Sequence, residues 1–112
     1  MTRDELINFC GSLSNIYSDN PFVKMEKNKV ATLVFRHLKN KKIFLYLSER
    51  QEKYILSVKL EPEKAENLRR DFESITAAWH MNKTYWSDIQ MNSDLSDQEI
   101  FQLIEESYQL TK

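Results

Sequence analysis

The 112-residue sequence has one glycine, two prolines and one cysteine, and each scarcity excludes something. A single glycine, Gly11, cannot build a phosphate-binding loop, a dinucleotide fingerprint or a nucleophile elbow, all of which need several. So little glycine and proline also argues against long disordered linkers. The lone cysteine, Cys10, permits no intramolecular disulfide, which fits a reducing compartment. No apolar run approaches the ~18 residues that span a bilayer. The opening MTRDELINFC is charged at once, without the apolar core of a signal peptide. The expectation is a soluble cytoplasmic protein with no membrane partner. His37 and His80 lie far apart and have no second cysteine beside them, so no metal-ligand spacing exists. The sequence predicts no metal, no cofactor and no enzymatic activity.

What is present is enough for one domain spanning 1–112, since chains of roughly 100–150 residues form a single core. Aromatic residues are plentiful (Phe 6, Tyr 5, Trp 2), so some are expected on a surface or in a cleft. The net charge of −1 conceals an asymmetry. Residues 26–60 carry nine Lys/Arg against three Glu, whereas residues 61–112 carry five Lys/Arg against eleven Asp/Glu. Segregation of this kind marks either an anionic partner or basic strands neutralised by neighbouring acidic helices.

Thr2 and Glu5 form a capping box, and Leu6, Phe9, Cys10 and Leu13 recur at helical spacing behind it. Cys10 lies on that apolar stripe and reads as a small buried hydrophobe. The stretch 18–21 reads as a loop. From Val30 the period changes to two, and residues 30–37 form a strand. A polar hairpin loop at 38–42 leads to a second strand at 43–47, a charged turn at 48–53 and a third strand at 54–60. Pro62 opens a helix at its favoured first position, with Ala65, Leu68 and Phe72 inward. Residues 75–83 have little periodicity, and a further strand is expected over 85–91. Ser96 and Glu99 form a second capping box, followed by the stripe Ile100, Leu103, Ile104 and Tyr108. The predicted fold class is α+β, in the order α-β-β-β-α-β-α. Its architecture is a two-layer sandwich of an antiparallel sheet of about four strands, with helices packed on one face. The other face is expected to be partly open.

Two clusters are the candidate sites. Arg36, His37, Lys39, Lys41 and Lys42 form a basic hairpin that could lie along a phosphate backbone, with Lys27, Lys29, Arg50, Lys53 and Lys59 adding positive charge. Lysines in a hairpin loop also keep a sheet edge soluble. The second cluster is Trp79, His80, Asn82, Lys83, Tyr85 and Trp86. As a recognition surface, Lys83 and His80 would meet phosphate while an aromatic face stacks on a base or a planar ligand. As structure, His80 and Asn82 would satisfy an irregular turn while Trp86 fills the core.

His80-Met81-Asn82-Lys83 followed by Trp86 resembles the HMNK-x-x-W core of the MmcQ/YjbR family of small bacterial proteins. Val34-Phe35-Arg36-His37 with Asn40-Lys41-Lys42 is similar to that family's strand–turn–strand segment. Leu56 to Glu63 resembles its strand-to-helix junction, and Glu106-Ser107-Tyr108-Gln109-Leu110 its closing helix. Together these segments span most of the chain from about residue 21. Trp79, Tyr85 and Ala77 depart from the family's common tyrosine, histidine and proline, and Leu60 and Glu61 from its cysteine and aspartate. The resemblance implies a small α/β domain usually described as DNA-binding. A family association with antibiotic-producer gene clusters also suits a small-molecule binder. The expected partner is therefore double-stranded DNA, bound weakly through Arg36, His37, Lys39, Lys41, Lys42 and Lys83. The alternatives are a small planar or anionic ligand in a cleft of Trp79, His80, Asn82, Tyr85 and Trp86, or a protein-interaction domain. A monomer or weak homodimer is expected in each case.

Overall fold

Both capping boxes form in the computed structural model, which describes residues 1–22, 31–78 and 81–112. Thr2 Oγ1 accepts from the Glu5 amide at 3.1 Å and Ser96 Oγ from the Glu99 amide at 3.2 Å. Each glutamate reaches back to its cap residue, so orphan donors at both helix starts are satisfied. The helices are α1 (Arg3–Gly11), α2 (Pro62–Asp71) and α3 (Asp97–Thr111). Pro62 sits in the first turn of α2, and Arg69 and Arg70 occupy its last turn, where cations suit the helix dipole.

The strands are β1 (Ile16–Asp19), β2 (Leu33–His37), β3 (Ile43–Arg50), β4 (Lys53–Lys59), β5 (Ile75–Ala77) and β6 (Trp86–Gln90). They form one antiparallel sheet in the order β1-β2-β3-β4-β6-β5. The expected strand count of about four is thus corrected to six, because two short strands escape the pattern. β1 includes Ser18 and Asp19 from the predicted loop at 18–21, and β5 lies in the segment with little periodicity. Both are edge strands of four and three residues, too short to show an alternation. The predicted first strand keeps its end at His37 but begins at Leu33, after Ala31 and Thr32, and Val30 lies outside the described residues. The turn predicted at 48–53 shrinks to Gln51 and Glu52, with φ of 52° and 65°. Two consecutive left-handed residues match the twist of a tight hairpin, so β3 runs on to Arg50.

Strand pairing assigns the faces. Phe35, Leu45, Leu47, Leu56, Val58, Ile75 and Ile89 share one side and join a single core with Leu6, Cys10, Ala65, Ile100, Leu103 and Ile104 from the three helices. Burial pushes the Cys10 thiol up to about 12, so it is an inert apolar group at neutral pH. A bulge between Phe35 and Arg36 shifts the register and brings Phe44 as well as Leu45 into this core.

The opposite face is not open at its centre. Val34, Ser57 and Asp88 are buried there at 0, 1 and 4 % exposure. The polar pair is satisfied internally, Ser57 Oγ donating to Asp88 at 2.5 Å and Arg50 Nη1 at 3.0 Å. A sequence alternation assigns sides but cannot see this cross-strand pairing of a carboxylate with its donors.

One side chain fastens α3 to the sheet. Ser107, fully buried, donates Oγ to the Phe44 carbonyl at 2.6 Å and accepts from the Lys59 amide at 2.8 Å. Ser107→Ala would leave two buried backbone groups without partners and is expected to cost ~1–3 kcal/mol. Urea denaturation measures this, and a loss under ~0.5 kcal/mol would mean that water replaces the hydroxyl.

Candidate nucleic-acid interface

The chain between β2 and β3 is a tight turn with its own internal bonds. The His37 amide donates to Lys42 O at 3.0 Å and the Lys41 amide to His37 O at 2.9 Å. Lys41 takes a left-handed φ of 62° to close the loop. Asn40 holds the turn from both ends of its side chain, Oδ1 accepting from the Lys42 amide at 2.8 Å and Nδ2 donating to the Thr111 carbonyl at 3.1 Å. The hairpin therefore rests on the C-terminal end of α3.

Lys39, Lys41 and Lys42 project from this turn and are exposed. None of the three is ion-paired among the described residues. Leu38, 57 % exposed, sits beside them. Arg36 belongs to the turn's scaffold instead, its Nε bonding Asp19 Oδ1 and its Nη1 the Lys41 carbonyl, both at 3.1 Å. His37 does not reach the surface. It is 4 % exposed beneath α3, since its position on β2 shares the side of Phe35.

Strand register decides which other cations join the tip. Leu45 pairs with Val58 and Lys59 with Trp86, so the hairpin, the end of β4 and the start of β6 lie at one end of the sheet. Lys59 is thus one to two strand spacings from the hairpin, on the order of 5–10 Å, and the 83–85 turn two to three, on the order of 10–14 Å. Lys83 is exposed in that turn. Arg50 and Lys53 lie at the opposite end, where β3 turns into β4, and Arg50 is paired with Asp88. Lys27 and Lys29 lie outside the described residues. The positive segment seen in the sequence is therefore divided, with the hairpin lysines, Lys59 and Lys83 gathered and Arg50 and Lys53 sent away. Glu61 and Glu63 are exposed just beyond Lys59 and reduce the field at its rim.

Of the second cluster, Asn82, Lys83, Tyr85 and Trp86 are among the described residues. Trp79 and His80 lie outside the described residues. Asn82 organises the turn: its carbonyl accepts from the Tyr85 and Trp86 amides at 3.2 and 2.9 Å, and its Oδ1 from the Thr84 amide at 3.0 Å. Trp86 stands edge-on to Tyr46, ring centroids 5.5 Å apart. Tyr85 is 41 % exposed, with Lys59 Nζ 5.4 Å from its ring centre. A shallow depression of about 520 Å³ lies at the far end of the sheet, lined by Met1, Thr2, Arg3, Asp4, Tyr54 and Asn92.

Sequence reasoning missed Arg69. Beyond its place near the helix end, Arg69 Nη2 donates to the carbonyls of Lys83 and Trp86 at 2.7 and 2.9 Å, and Nε and Nη2 both meet Ser87 Oγ. It clamps the turn that carries Lys83, eighteen residues from Ser87 along the chain. No sequence signal marked it, because an arginine in the last turn of a helix equally suits the helix dipole.

Three further findings concern function. Among the described residues no group of His, Cys, Asp and Glu is arranged to hold a metal ion. No described helix is long and apolar enough to cross a membrane. The YjbR family model matches residues 12–110, and the chain belongs to the YjbR family. It is 29 % identical to the uncharacterised Escherichia coli protein YjbR over 97 % of this chain and 86 % of that one. It is 31 % identical to the uncharacterised Bacillus subtilis protein YyaQ, covering 100 % of this chain and 99 % of the other. A crystal structure of a Pseudomonas syringae protein superposes with a TM-score of 0.84 at 30 % identity, over the whole of both chains. One from Deinococcus radiodurans gives 0.80 at 26 % identity, covering 97 % of this chain and 77 % of its own.

Proposed function

We propose that this protein is a non-catalytic binder of double-stranded DNA that contacts the phosphate backbone through Lys39, Lys41 and Lys42, with Lys59 and Lys83 alongside. The observation that carries this reading is a rigid turn presenting three exposed lysines without a paired carboxylate among the described residues. A turn held by Arg36, Asn40 and the end of α3 loses little freedom when it docks, so less of the electrostatic gain is consumed by ordering. Lysines in a hairpin loop also keep a sheet edge soluble, so part of their presence serves the fold. A net charge of −1 restricts the interaction to weak, salt-sensitive contact without base readout.

Fluorescence anisotropy with a labelled duplex tests this. About three phosphate contacts imply a slope near −2.7 in a plot of log affinity against log salt, or roughly a 40-fold loss between about 50 and 200 mM. Micromolar binding with that slope supports the reading. No binding at about 50 mM salt, where the attraction is strongest, removes it. A small planar anion is the second reading, favoured only by the exposed Tyr85 ring with Lys59 beside it. It would give fluorescence quenching without the salt slope.

A further inference from the structure

His37 is a titratable side chain enclosed in the core at the root of the lysine turn. Its ring lies between two aromatic rings, Phe44 at 5.2 Å and Tyr108 at 4.8 Å between centroids. Its Nε2 is 2.8 Å from Thr111 Oγ1. The single hydroxyl proton of Thr111 is directed to the Ser107 carbonyl at 2.8 Å, so Nε2 carries the hydrogen and donates. Asn40 holds the carbonyl of the same threonine. Two residues of the hairpin, His37 and Asn40, thus grip Thr111 by its side chain and its backbone. The main chain of His37 is at the same time part of the hairpin's closing bonds.

We propose that His37 is a proton-sensitive latch: as the neutral ring it locks the last turn of α3 against the β2–β3 hairpin, and on protonation it releases that turn and loosens the lysine tip. Protonation adds a hydrogen at Nδ1 and a positive charge in a site sealed by Phe44 and Tyr108. Among the described residues, the side chains facing it offer that charge no carboxylate. From α3 come the neutral Tyr108 phenol, bonded to the Ser14 carbonyl, and Lys112, whose Nζ lies 5.2 Å from the Tyr108 ring centre. From the hairpin come Lys39, Lys41 and Lys42, and the Arg36 that is already paired with Asp19. β3 contributes the apolar Phe44, and the α1–β1 connection only the uncharged Ser14 and Asn15. On α3, Glu106 is bound to Lys64 and Glu105 is exposed.

The energetics agree in sign. Desolvation holds the His37 pKa below the ordinary 6.5. The Tyr108 carbonyl works against this, and Lys112 adds to it. The unfolded chain therefore binds the proton more readily in the window between 6.5 and the lowered value. The stability His37 confers is full above 6.5 and is lost as pH falls through that window.

NMR on the free protein, without DNA, tests the latch separately from the binding reading. Between about pH 7.5 and about pH 5 the His37 ring resonance should titrate below the usual histidine range. The amides of residues 109–111 and of Lys41 should shift with the same midpoint, and hydrogen-exchange protection of the last turn should fall about tenfold per unit of pKa displacement. His37→Gln keeps a donor at the ε position but cannot titrate, and should make the last turn insensitive to pH. Thr111→Val leaves the ring and removes its acceptor, so at about pH 7.5 its last turn should be as weakly protected, relative to the intrinsic exchange rate, as the wild type is at about pH 5. The latch is overturned if His37 titrates while the last turn stays protected, or if the pH response survives in His37→Gln. Full protection of the last turn in Thr111→Val overturns it equally.

Discussion

Phe44→Ala is expected to destabilise the protein by ~3–5 kcal/mol, the usual cost of emptying a phenylalanine site in a core. Phe44 is fully buried and meets three other rings, Phe35 at 6.1 Å, His37 at 5.2 Å and Tyr108 edge-on at 5.4 Å. The bulge in the β2–β3 pairing brings it beneath α3, into the close-packed core. Since small domains unfold at ~5–15 kcal/mol, the variant should lose a large fraction of its stability. Its urea midpoint should fall while Phe44→Leu loses about 1.5 kcal/mol or less. A loss below ~1 kcal/mol for alanine would show that the ring cluster collapses around the gap. The substitution should also let water reach His37 and move its pKa back towards the ordinary value, because the largest cause of its depression is burial.

Reversing the three tip lysines together, as Lys39→Glu, Lys41→Glu and Lys42→Glu, is expected to lower duplex affinity on the order of a hundred-fold or more at about 50 mM salt. The salt slope should flatten in the same variant, because the counterions released on binding are those displaced by these cations. Stability should change far less, because the three side chains are exposed and surface substitutions of this kind usually stay within ~0.5 kcal/mol each. Arg70→Glu is the control. Arg70 is exposed, pairs with its neighbour Asp71 and lies at the end of α2 distant from the hairpin. That variant should bind as the parent does. If the triple variant keeps both affinity and slope, the phosphate contacts lie elsewhere on the molecule.

Much of the fold was legible in the sequence because its signals are local. Thr2 and Glu5, like Ser96 and Glu99, sit three residues apart, and a capping box needs nothing beyond its own turn. The stripes of α1 and α3 and the strands ending at His37 and starting at Ile43 follow from periodicity alone. β1 and β5 were missed because four and three residues at a sheet edge carry no readable alternation. They become strands only because β2 and β6 offer them backbone partners. The candidate interface was half legible. Lys39, Lys41 and Lys42 are exposed in the hairpin as a polar turn predicts. His37 was grouped with them as a neighbour in sequence, but alternation along β2 turns it inward under α3.

The sequence by itself determined the class of the molecule: an α+β domain of capped helices and antiparallel strands, with an inert cysteine and a lysine-rich turn. It could do so because capping, periodicity and turn chemistry act over a few residues. The tertiary structure alone decided which charges stand together. Strand register brings Lys59 and Lys83 to the hairpin end and leaves Arg50 at the other, from which its guanidinium reaches Asp88. Arg69 reaches the turn of Lys83, and Thr111 meets both His37 and Asn40 across more than seventy residues of chain. These contacts join positions remote in sequence, and their energy depends on burial and distance, which no local pattern encodes.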